Sequence, residues 1–215
     1  IYYEGKYVQQ NINKSIHYYT LSSDSNYSAA QNNLGIIYYE GKYVERNINK
    51  AIHYFTLSAN QNCSIALNNL GLLYYEGVFV YRDINKAIHY LTRASNLNLM
   101  NSQYALGMIY YEGKYIMPDI NKAIDYLTRA SNQNFSKAQY ILGVIYYEGK
   151  QVKRDINKSI SYLTLSSNQN DFYAQYLLGF IYYDGKYIQR DINKSIHYYT
   201  LSSQSNYSIA QNNLA

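Results

Sequence analysis

Several residue types are nearly missing from this chain of 215 residues, which has one cysteine, one proline and no tryptophan. Because Cys63 has no second cysteine to pair with, an intramolecular disulfide and a Cys-x-x-Cys zinc site are both excluded. No apolar run approaches the roughly 18–20 residues of a membrane helix, and the opening IYYEGKYVQQ lacks a signal-peptide layout. We therefore expect an intracellular, cytoplasmic protein that does not enter a membrane.

The abundance of asparagine leaves open the alternative that the protein is secreted. A secreted protein would use Asn-x-Ser sequons as glycan sites. A chain this rich in Asn and Ser also produces sequons by chance, which favours the intracellular interpretation. The sequons begin at Asn13, Asn26, Asn62, Asn134, Asn157, Asn193 and Asn206.

One pattern recurs along the chain at a fixed spacing of 36 residues. The segment LGIIYYEGKYV begins at Leu34, and close copies begin at Leu70, Leu106, Leu142 and Leu178. A fixed internal period of this length is typical of solenoid proteins, in which each repeat buries its apolar face against its neighbours.

Each copy predicts a first helix that ends at a glycine. Ala30, Leu34 and Ile37 follow the i, i+4, i+7 spacing of one helix face. Gly41 comes next and is suited to the left-handed conformation that closes a helix. Gly35 lies inside the helix, where glycine costs about 1 kcal/mol relative to alanine. We therefore expect a neighbouring helix to approach closely at Gly35.

A second helix follows each first helix. Ala51, Ile52 and Phe55 mark its buried face. Asn62 and its equivalents lie just past its end, where Asn is the usual second choice to Gly for a left-handed residue. The predicted N-caps of the second helices are Asn11, Asn47, Asp83, Asp119, Asp155 and Asp191.

These features together resemble the Sel-1-like repeats, which are relatives of the tetratricopeptide repeats. The resemblance rests on the 36-residue period, A-x-x-x-L-G at 30–35, the E-G-K-Y-V turn and D-x-x-K-A before the second helix. Tyr54 and Asn62 stand where the family often has Trp and Gly. The resemblance implies an all-α fold, a right-handed α-solenoid of stacked antiparallel helix pairs.

We expect residues 1–215 to form a single α-solenoid with about five full repeats and a partial repeat at each end. Residues 1–34 and 181–214 differ at only six places, and neither end carries a polar capping helix. This favours a segment of a longer array, and uncapped ends favour end-to-end self-association.

The resemblance also implies that the first helices line a concave groove. Tyrosine suits a binding surface, because it combines a large area with a polar tip and few torsions to freeze. The alternative is that the tyrosines pack between repeats. The candidate groove residues are Asn32, Ile36, Tyr39, Asn68, Tyr75, Glu76, Tyr104, Met108, Tyr111, Tyr140, Tyr147, Tyr176 and Tyr183.

A carboxylate ends every first helix, where it opposes the helix dipole. We expect a lysine of the following turn, such as Lys42 after Glu40, to pair with it. Val78 replaces this lysine after Glu76. The sequence therefore predicts that Glu76 is the acid most free of a partner.

These observations favour a non-catalytic scaffold that presents the groove to protein or peptide partners. The chain has no G-x-S-x-G, no H-E-x-x-H and no Gly-rich phosphate loop. We therefore expect no enzyme, no catalytic residue, no metal and no cofactor. Equivalent histidines such as His17 and His53 should lie roughly 10 Å apart by helix spacing, too far to share a zinc ion.

The alternative is a helical repeat that binds single-stranded RNA or DNA. A net charge of +5, with a lysine and a tyrosine in each repeat, fits that class. Carboxylates along the same predicted groove, and a mild balance of 19 basic to 14 acidic residues, argue against it.

Overall fold

The structure is a computed structural model that describes residues 11–204, and these residues form eleven α-helices and no strand. The all-α prediction is confirmed. The helices are α1 (Ile12–Asp24), α2 (Ser28–Glu40), α3 (Ile48–Asn60), α4 (Ser64–Glu76), α5 (Ile84–Asn96), α6 (Met100–Glu112), α7 (Ile120–Asn132), α8 (Ser136–Glu148), α9 (Ile156–Ser167), α10 (Phe172–Asp184) and α11 (Ile192–Gln204). Even-numbered helices from α2 to α10 are the first helices of the repeats, and odd-numbered helices are the second helices.

The chain forms two compact units, Ile1–Ser102 and Gln103–Ala215. In the described part of the first unit, each helix from α1 to α5 packs against the next one. In the second unit, the same holds from α7 to α11. A single uninterrupted solenoid over residues 1–215 stays a prediction.

The two helices of a repeat run antiparallel. Ser58, near the end of α3, donates its hydroxyl to the carbonyl of Ser28 at the start of α2, at 2.8 Å. At the other end of the pair, the Nζ of Lys50 lies 4.9 Å from the ring centre of Tyr38. Contacts at both ends therefore join the start of each helix to the end of its partner.

Side-chain caps begin the second helices, as the sequence predicts. The Oδ1 of Asn47 accepts the N–H of Lys50 at 2.9 Å, and Asp83 accepts the N–H of Lys86 at 2.9 Å. These bonds satisfy backbone donors that the first helical turn leaves without a partner. The other predicted caps make the same bond: Asn11, Asp119, Asp155 and Asp191.

Left-handed residues end both kinds of helix. Gly41 has φ of 63° after α2, and Asn62 has φ of 58° after α3. Past Asn62, the N–H of Cys63 donates to the carbonyl of Ser58 at 3.2 Å, which closes α3 and leads into α4. The predicted asparagine stops are confirmed at Asn26, Asn62, Asn98, Asn134 and Asn170, while Asn206 lies outside the described residues.

The glycine inside each first helix leaves room for a side chain of the second helix. A Cβ on Gly35 would lie 2.5 Å from Cδ1 of Phe55, and one on Gly71 would lie 2.6 Å from Cγ of Leu91. The predicted close approach is therefore confirmed. The core around it in this repeat consists of Ala30, Leu34, Ile37, Ala51, Phe55 and Ala59.

Candidate binding surface on the first helices

A cleft of about 370 Å³ lies between α2 and α4 in the first unit, and we call it the α2/α4 cleft. Its base includes the buried side chains of Phe55 and Leu73, while Ile65 at its side is 51% exposed. The carboxylates of Glu40 and Glu76 are exposed at its edge. The full lining is Ile36, Tyr39, Glu40, Phe55, Ile65, Asn69, Leu72, Leu73 and Glu76.

Tyr39 of α2 and Glu76 of α4 are joined across this cleft, because the tyrosine hydroxyl donates to the carboxylate. Burial first, and then Glu76, raise the pKa of Tyr39 above its usual range, while Arg46 acts in the opposite direction. The expectation that Glu76 is the acid most free of a partner is therefore wrong. A tyrosine of the preceding repeat pairs with it where the lysine is missing.

Tyrosines face acids of the next repeat in the second unit as well. Burial first and then Glu148 raise the pKa of Tyr111, and burial followed by Asp184 raises that of Tyr147. Here Lys150 follows the acid, and its Nζ lies 3.2 Å from the Glu148 carboxylate. The predicted pairing of an acid with the lysine of its turn is confirmed at this position.

Arginines bond to the carbonyl ends of the first helices, a feature that the sequence analysis missed. The Nη2 of Arg46 donates to the carbonyl of Glu40 at 3.0 Å, and Arg82 donates to the carbonyl of Glu76 at 2.9 Å. A cation here satisfies end carbonyls and complements the helix dipole. The available signal was an arginine directly before the N-cap at 46, 82, 154 and 190.

Two residues of the predicted groove are buried between repeats. Asn32 is 5% exposed and accepts a hydrogen bond from Asn69 Nδ2 at 3.2 Å. Asn68 is 8% exposed and accepts one from the hydroxyl of Ser102 at 2.8 Å. Both amides thus join neighbouring repeats, which limits the surface they offer to a partner.

The predicted groove tyrosines also make ring contacts, several of them to aromatic residues of the next repeat. Tyr183 is the most exposed, at 53%, and the guanidinium of Arg190 lies 4.8 Å from its ring centre. Ile36, Tyr75 and Met108 are partly exposed. The ring contacts, with centroid distances, are Tyr39–Phe79 (5.8 Å), Tyr104–Phe135 (5.3 Å), Tyr140–Tyr173 (5.9 Å), Tyr147–Tyr187 (6.4 Å) and Tyr176–Tyr199 (5.6 Å).

The recurring lysines have structural partners on the same repeat. Lys86 lies 5.1 Å from the ring centre of Tyr74, and its Nζ is 3.5 Å from the carboxylate of Asp83. Tyr74 in turn stacks on Tyr90 at 6.0 Å. The same stack of lysine on two tyrosines recurs with Lys50, Lys122, Lys158 and Lys194.

Residues 11–204 contain neither a cluster of metal-ligating side chains nor a helix that could span a membrane. No three His, Cys, Asp or Glu side chains of this part are grouped so that they could hold a metal ion. Nor is any helix in it long and apolar enough to cross a membrane.

Antiparallel helix pairs repeated every 36 residues define the class of helical repeat proteins. The family model for the Sel1 repeat matches residues 1–27, 28–63, 64–99, 101–135, 136–171 and 172–207. The chain therefore belongs to the Sel1 repeat family. Proteins of this family generally act as protein-interaction scaffolds, and the fold is typically non-enzymatic.

Solved structures agree with this assignment. A protective antigen of uropathogenic Escherichia coli with an SLR fold superposes with a TM-score of 0.91 at 25% identity, and a Sel1 repeat protein from Oxalobacter formigenes with 0.85 at 26%. Each match covers 99% of this chain but only 46% and 62% of the respective structure. An immunity protein from Pseudomonas aeruginosa shares the fold, with a TM-score of 0.54 at 22% identity over 88% of this chain and 72% of its own. No curated protein matches the chain.

Proposed function

We propose that this chain is a non-catalytic scaffold that binds protein or peptide partners through the exposed surface of its first helices. The observation that carries the proposal is the α2/α4 cleft, an apolar hollow edged by Glu40 and Glu76 on the surface predicted to bind. Apolar hollows with a few placed polar groups are typical of binding sites.

The tyrosines of the first helices support the same proposal. They are partly exposed, and neighbouring rings or carboxylates already hold them in place, as Phe79 and Glu76 hold Tyr39. A side chain that is fixed before binding loses little entropy when a partner arrives. The first helices therefore offer aromatic area at low cost in conformational freedom.

The nucleic-acid alternative gains no support from the relatives. Lys86 and its equivalents pair with a carboxylate and lie over a tyrosine ring, so each would have to exchange these contacts for a phosphate. The carboxylates of Glu40 and Glu76 also lie at the edge of the cleft, where they would repel a phosphate.

Site-specific photo-crosslinking tests which surface binds. A benzophenone amino acid is placed at Ile65 or Met108 on first helices, and as matched controls at His53 or Asp125, exposed positions of second helices. In extract of the cells that make the protein, we expect nuclease-resistant, protease-sensitive adducts from Ile65 and Met108 only. Adducts confined to the second helices, or adducts destroyed by nuclease, would contradict the proposal.

A further inference from the structure

The α2/α4 cleft has a lining that selects one kind of partner, an inference that rests on the function proposed above and deepens it. We propose that this cleft binds a peptide segment in which a large apolar side chain lies next to a lysine or arginine. The apolar side chain enters between the two helices, and the cation lies against Glu40 and Glu76.

The apolar part of the proposal follows from the size and walls of the cleft. Its volume of about 370 Å³ lies within the range of ligand pockets, about 300–1,000 Å³. Ile36 and Leu72 are partly exposed in its walls, and Ile65 is 51% exposed. An entering side chain would remove these aliphatic groups from water, which is the main favourable term in association.

The charge of the cleft is the basis for expecting a lysine or arginine in the peptide. Two carboxylates edge it, and the nearby Arg46 and Arg82 direct their guanidinium groups to the backbone carbonyls that end α2 and α4. At Tyr39, Glu76 raises the pKa more than Arg46 lowers it, so the stronger charge at this ring is that of the carboxylate. A carboxylate oxygen has room for more than one donor, so Glu76 can accept a cation while it keeps the tyrosine hydroxyl.

The turn after α4 extends the apolar surface beyond the cleft. Val78 is 70% exposed and Phe79 is 42% exposed, in a turn where the other repeats carry lysine at the first of these positions. The ring of Phe79 meets the ring of Tyr39 edge-on at 5.8 Å, so the turn and the cleft share one wall. The guanidinium of Arg46 lies 4.7 Å from the ring centre of Phe79, so a segment that extends past the cleft would meet Val78 and a ring already in contact with a cation.

The second unit has a smaller cavity that shares three lining positions with the cleft, Tyr111, Ile145 and Glu148 in place of Tyr39, Leu73 and Glu76. The cavity lined by Tyr111, Ile145, Glu148, Lys150 and Gln151 measures only about 30 Å³. Lys150, which stands where the first unit has Val78, is paired with Glu148 at 3.2 Å. A cationic peptide would have to displace this lysine.

Selection from a random dodecapeptide library on phage, with the whole chain immobilised, tests the proposal. We expect the enriched peptides to carry Lys or Arg beside Leu, Ile, Met, Phe or Tyr. The tightest peptide is then labelled and its affinity measured by fluorescence anisotropy at low and high salt, since charge pairing weakens as salt rises.

Three variants locate the binding site. I65K/V78K places the lysines of the second unit at the edge of the cleft, and we expect an affinity loss of about tenfold or more. E76Q keeps an acceptor for the Tyr39 hydroxyl but removes the charge, and we expect a loss of about threefold to tenfold that vanishes at high salt. N132K adds a lysine at an exposed position of α7 and should leave the affinity within about twofold.

The outcomes separate this inference from the function on which it rests. Enriched peptides without the basic and apolar pair, or peptides that bind wild type, I65K/V78K and E76Q equally, would overturn the inference and leave the scaffold function standing. If no peptide is enriched over a bare surface while crosslinking from Ile65 still captures a folded protein, the peptide inference alone falls. If neither the peptide selection nor the crosslinking detects a partner, the proposed scaffold function is overturned together with the peptide inference.

Discussion

The α2/α4 cleft of the first unit, of about 370 Å³, and a cavity of about 30 Å³ between α6 and α8 of the second unit are built from the same repeat and share three lining positions, Tyr39, Leu73 and Glu76 in the first unit and Tyr111, Ile145 and Glu148 in the second. In both, a tyrosine faces the acid of the next repeat, Glu76 in one and Glu148 in the other. The lysine that pairs with Glu148 is replaced by Val78 in the first unit.

This difference shows that each repeat has two sets of positions: those that fix the helix pair, which we call the frame, and those that form the exposed surface. The left-handed stop, the side-chain cap and the helix glycine recur in both units. The side chains between consecutive first helices vary, as Ile65 and Val78 of the first unit and Lys137 and Lys150 of the second unit show.

The largest effect is expected from filling the space above a helix glycine, in either unit. Gly35→Ala and Gly143→Ala would set a methyl group 2.5 Å from Phe55 and 2.6 Å from Leu163. Overpacking of this kind costs about 1–3 kcal/mol, more than the roughly 1 kcal/mol that alanine gains in helix propensity. Urea unfolding should therefore show a loss of stability in both variants.

Asn157→Ala, at an exposed position of α9, serves as the control and should not destabilise the chain. An increase in stability in either glycine variant would show that the close approach does not constrain the frame.

The next effect is the loss of a helix cap. Asn47→Ala removes the acceptor for the N–H of Lys50, and such substitutions cost about 1 kcal/mol. Asn47→Asp keeps the acceptor and should retain the stability at neutral pH. The check is thermal unfolding of both variants, and an unchanged midpoint for Asn47→Ala would refute the cap as a source of stability.

Acid should distinguish the two kinds of cap, because α3 has an asparagine cap and α7 has an aspartate cap. The backbone hydrogen bond from Lys122 is the main cause that lowers the pKa of Asp119. A lowered pKa means that stability from this group is present above the ordinary aspartate value of about 3.9 and is lost as pH falls through the folded value. Asp119→Asn should remove this acid-dependent part of the unfolding free energy below the ordinary aspartate value, whereas Asp125→Asn, at an exposed position of the same helix, should leave it in place.

The smallest effects concern the tyrosines that face the acids. Lys150 lowers the pKa of Tyr111, against burial and Glu148, which raise it. Lys150→Val should therefore raise that pKa further, and Val78→Lys should lower the pKa of Tyr39. A pH titration followed by NMR of the ring carbons of labelled tyrosine measures both changes in pKa. Shifts of the opposite sign would show that these lysine positions do not act on the tyrosines.

The raised tyrosine pKa values also predict a loss of stability at alkaline pH. The folded state holds the proton more tightly than the unfolded chain, so the stabilisation is present below the ordinary tyrosine value of about 10. It is lost as pH rises through the folded values of Tyr39 and Tyr111.

The frame was predictable from the sequence because its signals are local. The cap at Asn47, the stop at Gly41 and the space at Gly35 each follow from one residue and its near neighbours in the chain. A 36-residue period then repeats these signals and makes them unambiguous.

The candidate site was less predictable because it depends on the register between adjacent repeats. Spacing within one helix places Tyr39 on an exposed stripe, but it does not say that its hydroxyl reaches Glu76. Polar Asn32 was expected at the surface and is buried, since Asn69 of the next repeat bonds to it. The guanidinium of Arg46 likewise reaches back over a turn whose path the sequence alone did not give.

The most direct test of the difference between the units is a methyl NMR titration of isoleucine-labelled protein with the tightest selected peptide. Ile36 and Ile65 lie in the α2/α4 cleft, and Ile145 lies in the smaller cavity of the second unit. We expect the resonances of Ile36 and Ile65 to shift in a saturable way while those of Ile145 and the neighbouring Ile141 stay in place. Equal shifts in both units, or shifts confined to the second, would contradict the account.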